Sequence, residues 1–336
     1  MTDHIEIKVI KSEIPIIWID TSIINLMTLW KFKLGRLERI QEERVSRLYN
    51  SIFSNTRKGR LICPLAEQEG EVWVERNKWF DTIQSLSLGI ETEALFSIQH
   101  NQMHRFMKAY VNNDKTVTLN CKDAFHSDPV SELRDILKSP VFVSTRHPIL
   151  FGEEYQKNIK NNIYQAMEDQ RKKNVESKVT FEQQLEQEYI GELQALFILQ
   201  KQFFLNNFKD DDDEFNATCG TINLNQQLMH WKSLTGRALD YKGLIEFYKS
   251  DYHKSMPFNN ISCNLFAKLM TDKQPIRSGD VMDIKHASTL LPFSDIFITD
   301  KAMSTFLKQR NFNQEYNTTV CYIGDTEIID EFFSRL

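Results

Sequence analysis

Two short runs of β-forming apolar residues lie near opposite ends of this 336-residue chain, Ile14-Pro-Ile-Ile-Trp-Ile19 and Ile296-Phe-Ile-Thr299, and each is closed by an aspartate, Asp20 and Asp300. A strand that is apolar at nearly every position has both faces covered, which is the condition of a strand inside a parallel sheet. The surrounding pattern agrees. Leu61-Ile62-Cys63 is a second strand candidate, and from Ser278 onward helical and extended patterns alternate: helix Asp280 to Leu291, strand Asp295 to Thr299, helix Lys301 to Lys308, strand Thr318 to Ile323, helix Thr326 to Leu336. Strands alternating with helices imply parallel βαβ units. The expected fold is α/β, one parallel sheet flanked by helices. Residues 1–90 and 256–336 would form its core, and 91–255 a long, mainly helical insertion.

Several local elements follow from periodicity and capping chemistry. Thr21 or Ser22 can cap a helix after the first strand, and an amphipathic stretch carries Leu37, Ile40, Val45, Leu48 and Ile52 on its apolar side. Pro64 opens a further helix, Leu65 to about Gln84. Between Glu91 and Thr271 strand signals are few, Val141 to Ser144 being the exception. Phe181 to Phe208 has helical spacing, and the charge run Lys209 to Glu214 reads as an exposed loop. Eleven glycines, about 3% against a typical ~7%, suit long helices better than a turn-rich β architecture.

Bulk properties narrow the class. A hydrophobic content of 41% fills a globular core, the first residues lack a basic head followed by an apolar run, and no stretch of about 18 apolar residues occurs. Secretion and membrane insertion are not expected. Cys63, Cys121, Cys219, Cys263 and Cys321 are odd in number and form no C-x-x-C pair, which argues against a disulfide framework or zinc knuckle and for a reducing cytoplasm. A net charge of −5 gives no global attraction to a polyanion, so a nucleic-acid ligand would need local basic patches or a metal.

Ligands of open parallel sheets bind at the carboxyl ends of the strands, where Asp20 and Asp300 both fall. The commonplace role of a strand-terminal Asp is helix cap or turn residue; two on one edge also make a possible site. On the expected helix after Pro64, Glu69 lies amid Leu65, Ala66, Val72 and Trp73, whereas Glu67, Glu71 and Glu75 fall off that stripe. Asp280 and Asp283 border the buried side of the later helix marked by Val281, Ile284 and Leu291, although an acid in a first turn, as Asp280 is, favours the helix dipole without further function. Asp295, roughly 16 Å from Asp300 at ~3.3 Å per residue, cannot share a metal with it and reads as structural. Clustered carboxylates repel unless a cation neutralises them, and all-oxygen ligation selects Mg²⁺ or Mn²⁺.

At these residues the sequence resembles the PIN-like nucleases. The resemblance rests on Ile-Asp20-Thr-Ser, Cys-Pro-Leu-Ala-Glu-Gln-Glu69, Asp283-Ile-Lys-His-Ala and Phe-Ile-Thr-Asp300-Lys, and most specifically on Gly279 to Lys301, which is similar to larger bacterial PIN-like proteins carrying D-x-x-H-A…L-P-[YF]-x-D-x-x-x-[TS]-D. It spans about residues 14–85 and 255–330. It implies a PIN-like parallel-sheet fold and a Mg²⁺- or Mn²⁺-dependent endoribonuclease acting as toxin, defence effector or RNA-processing enzyme. Asp20, Glu69, Asp283 and Asp300 would be catalytic metal ligands and Asp280 a peripheral ligand. Thr299 would orient Asp300 or a metal-bound water, and His286 would hydrogen-bond behind the ligands. Two alternatives stand beside it: cleavage of single-stranded or flap DNA, and a non-catalytic scaffold whose insertion binds a protein or nucleic acid. A regulatory protein partner is compatible with each.

Weaker signals remain. His100 and His104 have zinc-compatible i, i+4 spacing without the acid of H-E-x-x-H, and the basic runs Lys31 to Arg39, Arg57 to Arg60 and Arg171 to Lys173 could follow a phosphate backbone. No P-loop, nucleophile-elbow or Rossmann glycine pattern occurs.

Overall fold

The computed structural model describes residues 5–68, 72–139, 153–277 and 279–336, the side chains of 153–163 excepted. The candidate strand Val141 to Ser144 and the acids Glu69 and Glu71 lie outside them. In chain order the elements are β1 (Glu6–Ile10), β2 (Ile17–Ile19), α1 (Thr21–Phe32), α2 (Arg39–Arg57), α3 (Arg76–Ser87), α4 (Leu95–Asn112), β3 (Thr116–Asn120), α5 (Pro129–Lys138), α6 (Glu153–Glu176), α7 (Phe181–Leu205) and α8 (Asp211–Thr235). They continue with α9 (Tyr241–Lys249), α10 (Asp251–Ser255), α11 (Pro257–Thr271), α12 (Asp280–Leu290), β4 (Ile296–Thr299), α13 (Lys301–Gln309), α14 (Phe312–Glu315), β5 (Thr319–Tyr322) and α15 (Thr326–Ser334). The fold is mixed α/β.

Three strands form a parallel sheet in the order β2-β4-β5, with Ile17 opposite Ile296, Ile19 opposite Ile298 and Ile298 opposite Cys321. The candidate strand at Leu61–Cys63 contributes a single parallel bridge, Ile62 to Ile16, on the other side of β2. Both faces of this sheet are covered, as its continuous apolarity requires. Ile17, Ile19, Ile296, Ile298 and Cys321 share a core with residues of α1, α2, α3 and α15, among them Ile24, Met27, Leu48, Ile52, Trp79, Ile83 and Ile329. On the opposite face Trp18 stacks near Phe297 and meets the ring of His286 from α12, at 6.3 and 5.2 Å between centroids. At the start of the sheet Asp295 Oδ2 accepts a 2.7 Å hydrogen bond from Ile16 N, the structural role expected of it.

The chain divides into two compact units, one of residues 9–98, 119–159 and 281–336 that holds the parallel sheet, the other of 1–8, 99–118 and 160–280. The second unit is built mainly from helices, with α8, α9 and α11 packed on α7. Its most buried ion pair is within α6, where Arg171 Nε and Nη2 grip Glu168 at 2.8 and 2.6 Å. Glu168 also accepts from Ile276 N, and Arg171 donates to the Asp272 carbonyl, so the pair fastens the segment after α11. The guanidinium holds the Glu168 carboxyl down at about 2.

Several local expectations are corrected. Asp20, not Thr21 or Ser22, caps α1. Ile40 is exposed, outside the apolar side assigned to it. The helix expected from Leu65 begins at Arg76, because Leu65 pairs in parallel with Glu91, donating from its amide to Ile90 and accepting from Thr92, and tertiary pairing overrides helical propensity. Trp73, placed on an apolar helical face, is 61% exposed. The acidic run expected as a loop supplies the cap and first turn of α8, where acids meet the positive end of the helix dipole. A strand absent from the sequence reading, β3, makes a two-stranded sheet with β1, its alternation of buried Val117 and Leu119 with exposed threonines being the missed signal.

Removing one partner of a buried, multiply bonded ion pair strands the other charge. Arg171→Met should therefore lower the unfolding free energy by about 3 kcal/mol in urea denaturation. Because the folded pKa of Glu168 is depressed, its contribution should be complete above the ordinary glutamate range and fade as pH falls toward about 2, a slope that Glu168→Gln should flatten.

Candidate functional site at the carboxyl edge of the parallel sheet

The pairing of β2 with β4 brings Asp20 and Asp300 to one edge. The ladder runs one residue past β2, where Asp20 N donates to the Ile298 carbonyl at 2.9 Å. Each aspartate opens the helix that follows its strand. Asp20 Oδ1 accepts from Ser22 N at 2.7 Å and Ser22 Oγ at 2.5 Å, and Asp300 Oδ1 accepts from Ala302 N at 2.7 Å and Met303 N at 3.2 Å. Both thus fill the commonplace capping role, each through a single oxygen. The second oxygen of Asp20, Oδ2, accepts a long 3.4 Å bond from the Thr299 hydroxyl across the strand pair.

Asp283 is half-buried one turn into α12 and acts on the Asp20 carboxyl, opposing its upward shift. Burial is the main reason the Asp20 carboxyl lies above the ordinary range; the Ser22 bonds oppose that shift, repulsion from Asp300 adds to it, and the bond with Asp283 opposes it. Two carboxyl groups share a hydrogen bond when one of them carries a proton, and a cation is the other species that can sit between such oxygens. Two buried oxygens, Thr21 Oγ1 and Gln68 Oε1, have no hydrogen-bond partner among the described residues.

Sequence reasoning missed Gln68. It is fully buried, and its amide nitrogen donates to the Ile19 carbonyl at 2.8 Å, which anchors Gln68 beside the end of β2. His286 holds the same segment through a 3.2 Å bond to the Glu67 carbonyl. A carbonyl only accepts, so His286 carries its proton on Nε2. Burial pushes the ring down to about 4, so it stays neutral. The Glu67 side chain turns to the N-terminus of α4, where Oε1 accepts from Leu95 N at 3.3 Å. No sequence signal marked Gln68, which stands between two glutamates, Glu67 and Glu69.

Of the other singled-out residues, Asp280 is engaged by Arg277, its Oδ2 by the backbone N at 2.7 Å and its Oδ1 by Nε at 3.1 Å. His100 and His104 are joined by His230 of α8, at 6.3 and 5.0 Å between ring centroids, and His100 bonds the Asn223 side chain at 3.1 Å. Arg171 is buried with Glu168, and Arg57 lies over the Phe53 ring and donates to the Ser85 carbonyl, so neither is poised to follow a phosphate backbone. All five cysteines are free. Among the described residues no helix is long and apolar enough to cross a membrane, and no three His, Cys, Asp or Glu side chains are gathered closely enough to hold an ion as they stand. Comparison with family models, curated proteins and solved structures gives no match in any of the three.

Capping and site roles separate by substitution. Asp300→Ala should cost about 1 kcal/mol in chemical denaturation through loss of the α13 cap, whereas Asp300→Asn, which still accepts the two amide bonds, should be nearly neutral.

Proposed function

We propose that this chain is a metal-dependent nuclease of PIN-like type, an endoribonuclease in its most economical reading, with DNA cleavage as the variant that shares its chemistry. The observation that carries this reading is the parallel β2–β4 pairing that brings Asp20 and Asp300 to one sheet edge, where Asp283 also acts on Asp20. The donors are all oxygens, which fits Mg²⁺ or Mn²⁺. Asp20, Asp283 and Asp300 would hold the ion, and Glu69, which the resemblance adds and which lies outside the described residues, would complete the set. Bound there, such an ion supplies an acidified water and neutralises charge growing on a scissile phosphate.

The chain's own groups set up that chemistry. The capping bonds fix one oxygen of Asp20 and one of Asp300, which limits how each carboxylate can turn. Thr299 restrains the other oxygen of Asp20. Gln68, bonded to the Ile19 carbonyl, and neutral His286, bonded to the Glu67 carbonyl, fasten the segment of residues 67 and 68, so the edge is preorganised before substrate arrives. Glu67 is committed to α4, which favours Glu69 over it as the acidic ligand of that segment. Asp280, engaged by Arg277, takes a peripheral place. The proposal places catalysis in the cytoplasm, on RNA, with the helical unit available for substrate or a regulatory protein.

Cleavage of single-stranded RNA, DNA and flapped duplex should be compared in Mg²⁺, Mn²⁺ and EDTA. The expected result is cation-dependent RNA cleavage that Asp20→Asn, Asp283→Asn and Asp300→Asn each abolish with folding intact. The double change Asp20→Asn with Asp300→Asn should be no worse than either single one, because groups of one site lose function together. Glu69→Gln should be inactive and Glu67→Gln active. Undiminished cleavage in EDTA or in Asp20→Asn would overturn the nuclease reading and leave a binding scaffold.

A further inference from the structure

Helix α8 buries one face and presents a second that is also apolar. Its inner side carries Ala217, Gly220, Leu224, Leu228 and Trp231 against the rest of the helical unit. On its outer side Phe215, Ile222 and Met229 are 44, 54 and 70% exposed and recur every seven residues, the repeat of a helix-pairing seam. Scattered exposed apolar residues are ordinary, but three in heptad register along one face are not. At the end of α7, next to the start of α8 in the chain, Phe204 and Leu205 are 71 and 64% exposed.

Charge along α8 is polarised in the same direction as the stripe. Its first turn is Asp211 to Glu214, and its one lysine, Lys232, lies in its last turn. Two such helices laid antiparallel are complementary to each other: the acidic end of each meets the basic end of the other. Centring the two-fold axis on Ile222 sets the register. Ile222 meets its own counterpart, Phe215 lies opposite Met229 of the second copy, a favourable sulfur–aromatic pairing, and Glu214 comes within about 3 Å, two residues of rise, of the level of Lys232 on the same flank. An isologous interface requires this self-complementarity. At 25 residues the helix is about 37 Å long, and the three apolar positions span about four of its turns.

The geometry points to a second copy of this chain as the occupant: a two-fold homodimer through the outer face of α8, paired antiparallel about Ile222. This inference is independent of the nuclease reading, because it rests on residues of the helical unit.

Sedimentation velocity of the full chain over a concentration series tests it. The wild type should show a reversible monomer–dimer equilibrium, and Ile222→Asp, a change at an exposed position that should leave circular dichroism unaltered, should weaken association by ~30-fold or more. Glu214→Lys and Lys232→Glu should each weaken it, and the two together should restore it. In a Cys219→Ser background, Ile222→Cys should cross-link to its counterpart on mild oxidation. A wild type that is monomeric throughout, a dimer indifferent to Ile222→Asp, or charge reversals that do not compensate would each overturn the proposal. Dimerisation lost with RNA cleavage unchanged supports it, and so keeps this test distinct from that of the nuclease reading.

Discussion

The parallel pairing of β2 with β4, in which Ile17 faces Ile296 and the Asp20 amide continues the ladder to Ile298, is the contact on which the acidic edge depends. Strands from opposite ends of the chain are placed side by side with the same polarity, so the residue that ends each arrives at one edge. Side-chain alternation then fixes the rest. A slip of one residue would turn Ile17 and Ile19 away from the core they share with α1, α2 and α3 and bring Trp18 into it, so packing on both faces locks the register that aligns the aspartates.

Capping and clustering are carried by the same side chains. Asp20 and Asp300 satisfy the first amides of α1 and α13 while standing close enough that Asp300 raises the Asp20 carboxyl. The helix starts thereby offset part of the cost of crowding carboxylates, since each brings positive backbone dipoles to a group that its neighbour repels. This double use explains why a strand-ending aspartate is ambiguous in a sequence. The cap and the ligand require the same residue at the same position, so the position alone cannot separate the two roles.

Much of this was legible beforehand because it followed from strong, local patterns. Continuous apolar runs gave β4 within a residue and the end of β2, whose start lies three residues later than expected, and the alternation after Ser278 gave α12, α13, β5 and α15 but not the short α14. What was illegible depended on partners distant in sequence. Leu65 to Gln68 has the composition of a helix, yet the Leu65 amide and carbonyl are taken up by Ile90 and Thr92, which no periodicity announces. The helical argument that singled out Glu69 therefore does not hold for the described residues beside it; the commitment of Glu67 to Leu95 N bears on the choice instead. Gln68 was passed over because a buried glutamine bonded to a strand end has no sequence signature. The acidic run at Asp211 was read by its hydrophilicity when its position, just before an apolar repeat, marked a helix start.

The central claim, that Asp20, Asp283 and Asp300 form one cation site, is tested most directly by the thermal stability of the protein as Mn²⁺ is added, since an ion that binds the folded state raises the unfolding temperature in proportion to its occupancy. Wild-type protein should show a saturable rise with Mn²⁺, and Asp283→Asn, which keeps the hydrogen-bonding shape but removes a charge, should show little or none. No rise in the wild type, or an equal rise in the variant, would contradict the account.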